Sequence, residues 1–281
     1  MGRSGPAHPS QYHAPMTGPA DPETNAFARF GAVHRAAVRA EWDAARDAGL
    51  ELVIREADGI LFGAAPATDS RVYNRALGVA EALDRLPEAL GFFADHGVVG
   101  EVSLDPADIP AGVEPTIRLE AYLDRASVVA PRPVDGLVVR PIGPEAADEW
   151  MTTIIASYEP DTATAKLWRS LAGPIAANPR RKLQLAALDG QIVAASSIQL
   201  TETGAWMSWA GVIPAARGRG LQRALISARA ILAAELGCEW IAAWALAGAH
   251  SSANLAAAGM RRIGERASVR SIDLVGAQRL P

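Results

Sequence analysis

Apolar residues recur at helical spacing from Phe27 through Phe30, Val33, Ala37, Trp42 and Ala45, which predicts a helix over 27–48 closed by Gly49. Short β-rich runs follow at 52–55, 59–62 and 72–79, the first two joined by a hairpin at Ala57-Asp58. Leu83, Leu86, Leu90 and Phe93 mark one face of a helix over 84–96, and 98–104 returns as a strand. After a proline-bearing stretch the order begins again. A strand over 137–141 leads to a helix over 144–157 that points Trp150, Ile154 and Ile155 inward. Tyr158-Glu159-Pro160-Asp161 breaks the helical pattern, which resumes over 164–172.

Three strands, 183–188, 192–200 and 205–213, then form a meander with turns at Asp189-Gly190 and Glu202-Thr203-Gly204. Leu221, Leu225, Ala228, Leu232 and Leu236 define the next helix, capped by Gly237, and strands over 239–246 and 267–274 complete the pattern. The connection between 213 and 221 is the informative one. Gly218 and Gly220 let the backbone turn its N–H groups toward one point, to which the helix starting at Leu221 adds unpaired donors and the positive end of its dipole. Arg217, Arg219 and Arg223 surround the same point, an anion site suited to a pyrophosphate. The third glycine of a dinucleotide fingerprint and the Lys-Ser/Thr of a P-loop are absent.

The two halves share one element order, strand, helix, glycine, strand, and the local strings Gly78-Val79 and Gly211-Val212. This predicts an internal duplication. Residues 25–130 form the first copy, 131–136 a linker stiffened by Pro131 and Pro133, and 137–281 the second copy. Where the second copy has its glycine loop the first has Glu81 and Asp84, so only the second half is expected to hold an anion. Residues 1–24 lack periodicity and read as a disordered arm. His8 and His13 in it have no partner at metal-ligand spacing.

At 281 residues the chain is long enough for two domains, and 49% apolar content supplies their cores. A net charge of −4 disfavours broad affinity for nucleic acid or anionic membrane, which leaves the local arginine cluster to a small anion. The single cysteine, Cys238, excludes an internal disulfide and a cysteine zinc site, and no metal is expected. Without an apolar run of spanning length or a signal-type start, the protein is expected in the cytoplasm, as a monomer or homodimer.

Taken together, the strand, the Arg217-x-x-Gly220-x-Gln222 loop, the amphipathic helix, the following strand and SSANLAAAGM make residues 137–273 resemble the GCN5-related N-acetyltransferase superfamily. Gln222 stands where that family's loop ends in Gly or Ala. The resemblance implies an α/β fold of the α+β kind: two tandem domains, each a mixed, mostly antiparallel sheet flanked by helices, with a degenerate first copy walling the acceptor cleft.

It also implies acetyl-CoA or another acyl-CoA as co-substrate, with the acyl group passing to an amine of a small molecule or peptide by direct attack on the thioester. Arg217, Gly218, Arg219, Gly220, Leu221, Gln222 and Arg223 would hold the pyrophosphate. Gly211, Val212 and Ile213 would hold the pantetheine arm through their backbone, with Ser251 and Asn254 near its end. Where many members carry a proton-donating tyrosine this chain has Leu255. Glu159 and His250 are the candidate bases, and Tyr158, Asp161 and Trp168 candidate acceptor contacts. Trp206, Trp209 and Trp244 would line an apolar acceptor pocket or the core.

Without a base, a lysine-like amine would cost roughly 4.6 kcal/mol to neutralise at pH 7, against about 1 kcal/mol for an α-amine. A low-pKa amine is therefore the expected acceptor. Two other readings stay open: a catalytically silent acyl-CoA sensor or scaffold, and an RNA phosphate contact by the arginine cluster.

Overall fold

A computed structural model describes residues 22–126 and 134–277. Most of the expected arm, and residues 127–133 of the linker region, lie outside the described residues. The element order is α1 (Pro22–Asp47), β1 (Val53–Ala57), β2 (Ile60–Ala64), β3 (Arg75–Leu77), α2 (Leu86–Asp95), β4 (Glu101–Leu104) and β5 (Ile117–Arg125). The second half continues with β6 (Leu137–Ile142), α3 (Ala147–Tyr158), α4 (Thr162–Ala177), β7 (Arg181–Leu188), β8 (Gln191–Leu200), β9 (Gly204–Val212), α5 (Leu221–Glu235), β10 (Trp240–Leu246), α6 (His250–Ala257), β11 (Arg262–Arg270) and α7 (Ser271–Ala277).

The eleven strands of the described residues form one sheet in the order β1-β2-β3-β4-β11-β5-β10-β9-β8-β7-β6. Two neighbour pairs are parallel, β3 with β4 and β9 with β10. Each of these pairs is bridged by a helix, α2 in the first half and α5 in the second, so the sequence repeat is a structural repeat. The halves also interlock. β11 lies antiparallel between β4 and β5, while β5 lies antiparallel between β11 and β10. Each half is thus extended by a strand from the other.

One face of the sheet is covered by α1, α3 and α4. Trp42 of α1 packs with Trp150, Leu171 and Leu185, and Phe30 and Val33 reach Leu123, Trp206 and Ala242. The opposite face carries α2 and α7 over the first half and α5 and α6 over the second. α1 therefore belongs by sequence to the first half and packs on the strands of both.

Several expected boundaries shift for local reasons. α1 begins at Pro22, five residues ahead of the first apolar position used to define it. The strand expected over 72–79 is confined to 75–77, because Gly78 turns at φ 99° and single turns of 3-10 helix follow at Val79–Glu81 and Leu83–Arg85. Residues 271–274, expected to finish the last strand, are helical: Ser271 Oγ accepts from the Gly100 N–H at 3.1 Å, and Arg270 pairs with Asp273. No element was expected between 105 and 130, yet β5 runs there with Ala121 and Leu123 fully buried. Asp189-Gly190 makes the expected hairpin turn, both residues at positive φ (50° and 81°).

Candidate active site

β9 and β10 are paired only from Trp240–Ala242 against Gly204–Trp206. Beyond that they part, because β9 bulges away. Its register against β8 jumps from Ser197↔Ser208 to Ala195↔Gly211, leaving Trp209 at φ 45°. Side chains on the α1 face hold the bulge. Trp209 Nε1 donates to Glu41 Oε2 at 3.1 Å, and its ring meets Trp168 edge-on at 5.0 Å. The buried Arg181 guanidinium donates to Ser208 Oγ and lies 3.7 Å from Glu41.

The gap between the parted strands opens a cleft of about 1060 Å³, floored by α5 and closed at one end by α6. Its mouth is the glycine loop. Gly218 and Gly220 both sit at φ 80°, and α5 starts directly after. Five consecutive backbone N–H groups, those of Gly218, Arg219, Gly220, Leu221 and Gln222, donate to no described residue. Such a row of unpaired donors at a helix start is an anion cradle.

Arg217 has a different task. Its Nη2 donates to Ser157 O at 2.7 Å and its Nε to Val212 O at 3.2 Å, tying the loop to the ends of α3 and β9. Gly211 serves the same junction, since a Cβ there would land on the Ser157 hydroxyl and 2.6 Å from Ser157 Cβ.

Of the residues singled out from sequence, Gly211, Val212, Arg217, Gly218, Gly220, Leu221, Gln222, Arg223, His250, Ser251 and Asn254 all line this cleft. Ile213, Arg219 and Glu159 do not. Ile213 continues the β8 ladder through a 2.9 Å bond from its N–H to Val193 O. Glu159 is the left-handed residue that ends α3 (φ 49°), and its side chain is exposed. Asp161 caps α4, accepting from the Thr164 N–H and hydroxyl at 2.8 Å, which holds its carboxyl below the usual range. Ser252 is buried with Tyr122 and Glu120, and Leu255 lines the cleft as an apolar wall.

Tyr158 enters the cleft from the α3 side. Its ring is half exposed, while its hydroxyl donates to Ala210 O at 2.9 Å and is held above the ordinary range by burial. One lining residue escaped the sequence reading. Arg229 of α5 is 3% exposed, its charge set inside the apolar stripe four residues after Leu225. Among the described residues that line the cleft are three arginines, Arg217, Arg223 and Arg229, and no carboxylate.

The equivalent place in the first half is filled. A residual space of about 30 Å³ remains between Phe27, Phe30 and His34 of α1 and the Gly78–Glu81 turn. Arg266 reaches both Glu81 and Asp105 at 3.2 Å, with its guanidinium 4.0 Å above the Phe27 ring. Among the described residues no group of three or more His, Cys, Asp or Glu could hold a metal ion, and no helix is long and apolar enough to cross a membrane.

No protein-family model matches the chain, and no curated protein matches it. Solved structures do. A GCN5-related N-acetyltransferase from Sphaerobacter thermophilus is 17% identical, with 87% of this chain and 91% of that chain covered at a TM-score of 0.54. One from Kribbella flavida is 16% identical, with 83% and 95% covered at 0.54. A tandem GNAT protein from the clavulanic acid biosynthesis pathway is 14% identical, with 89% and 96% covered at 0.52. The fold is that of the GCN5-related N-acetyltransferases, in the tandem arrangement.

Proposed function

We propose that the protein is an N-acyltransferase that moves a short acyl group from acyl-CoA to an amine, with one working site in the second half. The observation that carries this reading is the row of five unpaired N–H groups at the mouth of a cleft made by parting strands. The loop would hold the pyrophosphate of CoA, with Arg223 beside it and Arg217 fixing the loop rather than binding the ligand. The β9 edge over 207–212 has no β10 partner and would lie along a pantetheine arm, with Ala210 O and Val212 O already accepting from Tyr158 and Arg217.

The amine would come from the α3 and α4 side and attack the carbonyl carbon, the C–S bond would break, and the thiolate would take a proton. Tyr158 and Ser251 line the cleft as hydroxyls able to supply that proton, while Leu255 cannot. The absence of a carboxylate from the lining supports an acceptor of low pKa, whose neutral form needs no strong base. His250 is the lining imidazole able to take a proton. The first half, its own site filled by α1, would serve as a wall and as the donor of β5. Leu255 also favours a second reading, an acyl-CoA binder without turnover. Thiol release in the presence of amines separates the two.

Calorimetric titration with acetyl-CoA tests the proposal. Wild-type protein should bind in the micromolar range, and Gly220→Glu should weaken binding at least about 30-fold. That variant forces a side chain into a left-handed position and adds a negative charge beside the cradle. Failure of every CoA ester to bind folded wild-type protein would overturn the reading.

A further inference from the structure

Arg229 is a buried cation without a counter-charge. Its Nε donates to Leu225 O at 3.1 Å, while Nη1 and Nη2 make no hydrogen bond to a described residue, stay open to the cleft and have Tyr158 as their ionisable neighbour. Met207, Ile226, Ala243 and Leu255 add apolar walls to the same cleft. Burial pushes the guanidinium down to about 10, so it stays charged at neutral pH. With its stem buried and only the cleft open to its terminal nitrogens, the guanidinium gains from an anionic partner that enters there.

The phosphate cradle is a separate place. The Arg229 backbone lies eight residues beyond the α5 start, about 12 Å along the helix at 1.5 Å per residue, and its Nε is pinned to Leu225 O, one turn beyond the cradle. The partner that suits it is a second anionic group in the inner cleft. A guanidinium fork with its terminal nitrogens free fits a carboxylate. That carboxylate could ride on the acyl chain or on the amine. Arg229 projects into the cleft from α5, the helix whose first turn would hold the donor's pyrophosphate, and faces Tyr158 across it; a chain running inward from the loop passes Arg229, which favours the donor.

Building on the acyl-CoA reading, we propose that the inner cleft is a carboxylate subsite and that the acyl donor is the mono-thioester of a short dicarboxylic acid. Arg229 binds the free carboxylate, fixes the acyl chain in the gap between β9 and β10, and discriminates against uncharged chains of equal length.

The test is calorimetric titration of free CoA, butyryl-CoA and succinyl-CoA, with Arg229→Gln and Arg229→Lys as variants. Succinyl-CoA should bind wild-type protein at least about 10-fold more tightly than butyryl-CoA. The ratio should fall to about one in Arg229→Gln and recover in part in Arg229→Lys. Equal affinities in wild-type protein, or a ratio that survives in Arg229→Gln, would overturn the proposal, and the wild-type ratio decides even if a variant misfolds. Acetyl-CoA turnover with amino acids and their decarboxylated amines is the second arm. Discrimination found there alone would assign Arg229 to the acceptor and also overturn it. Binding of free CoA with no succinyl preference rejects this inference and leaves the acyl-CoA reading standing, whereas no CoA binding at all rejects both.

Discussion

At the scale of single residues the site depends on close approach. Gly211 lets the end of α3 sit on the bulged strand, and Arg217 locks that contact by bonding to Ser157 O and Val212 O. Gly211→Ala should destabilise the fold by about 1–3 kcal/mol, the usual cost of overpacking. Ser157→Gly in the same chain should recover most of the loss, because it removes the atoms the new methyl meets. Denaturant unfolding of the two single variants and the double variant measures this, and additive losses would reject the contact as the cause. The loop glycines were legible in the sequence, since positive φ leaves a compositional mark. The duties of the arginines were not. The spacing that put Arg217 beside the loop could not say that its guanidinium would turn to two carbonyls. Arg229 had a readable signal, a charge within an apolar stripe, but its meaning needed the parted strands.

Among the elements α1 decides most. It fills the first half's counterpart of the cleft and reaches the second half through His34, which stacks on Trp206 at 4.5 Å and accepts from Trp244 Nε1 at 3.2 Å. Burial, reinforced by Arg75 and Arg35, holds the imidazole well below its ordinary range, so it folds neutral. The unfolded chain takes up a proton near pH 6.5 that the folded chain refuses, so this part of the stability is present above that pH and is lost as pH falls below it. The slope is at most about 1.4 kcal/mol per pH unit. The melting temperature should drop between pH 7 and pH 5, and His34→Gln should flatten part of that drop. An unchanged slope would place the titrating group elsewhere. The apolar faces of α1 and α5 announced both helices. β5 also carries a clear alternation, Ile117, Leu119, Ala121 and Leu123 against Arg118, Glu120, Tyr122 and Asp124, but it stands outside the strand, helix, glycine, strand order that defines the repeat. The run after Arg270 misled in the other direction, because its β-branched residues outweighed the short-range Arg270–Asp273 pair that turns it helical.

For the whole molecule, repetition could be read from sequence while interlocking could not, since strand exchange is a choice of neighbour and leaves no local pattern. Its consequence is that neither half is complete alone. β10 and β11 do not pair with each other; both pair with β5, which the first half supplies. A fragment of residues 134–281 would therefore expose the edge of β10 beside the cleft and leave β11 without either neighbour, the condition in which open edges associate. Produced by itself, this fragment should aggregate or melt without cooperativity and bind no CoA. Produced together with residues 1–133 it should assemble one to one and recover the binding of the intact chain, because β5 and β6, on either side of the missing connection, are each held by other strands. Size-exclusion chromatography and calorimetry of the two preparations decide the matter. A monomeric, cooperatively melting 134–281 fragment that binds CoA would show the second half to be self-sufficient and the first half dispensable to the site.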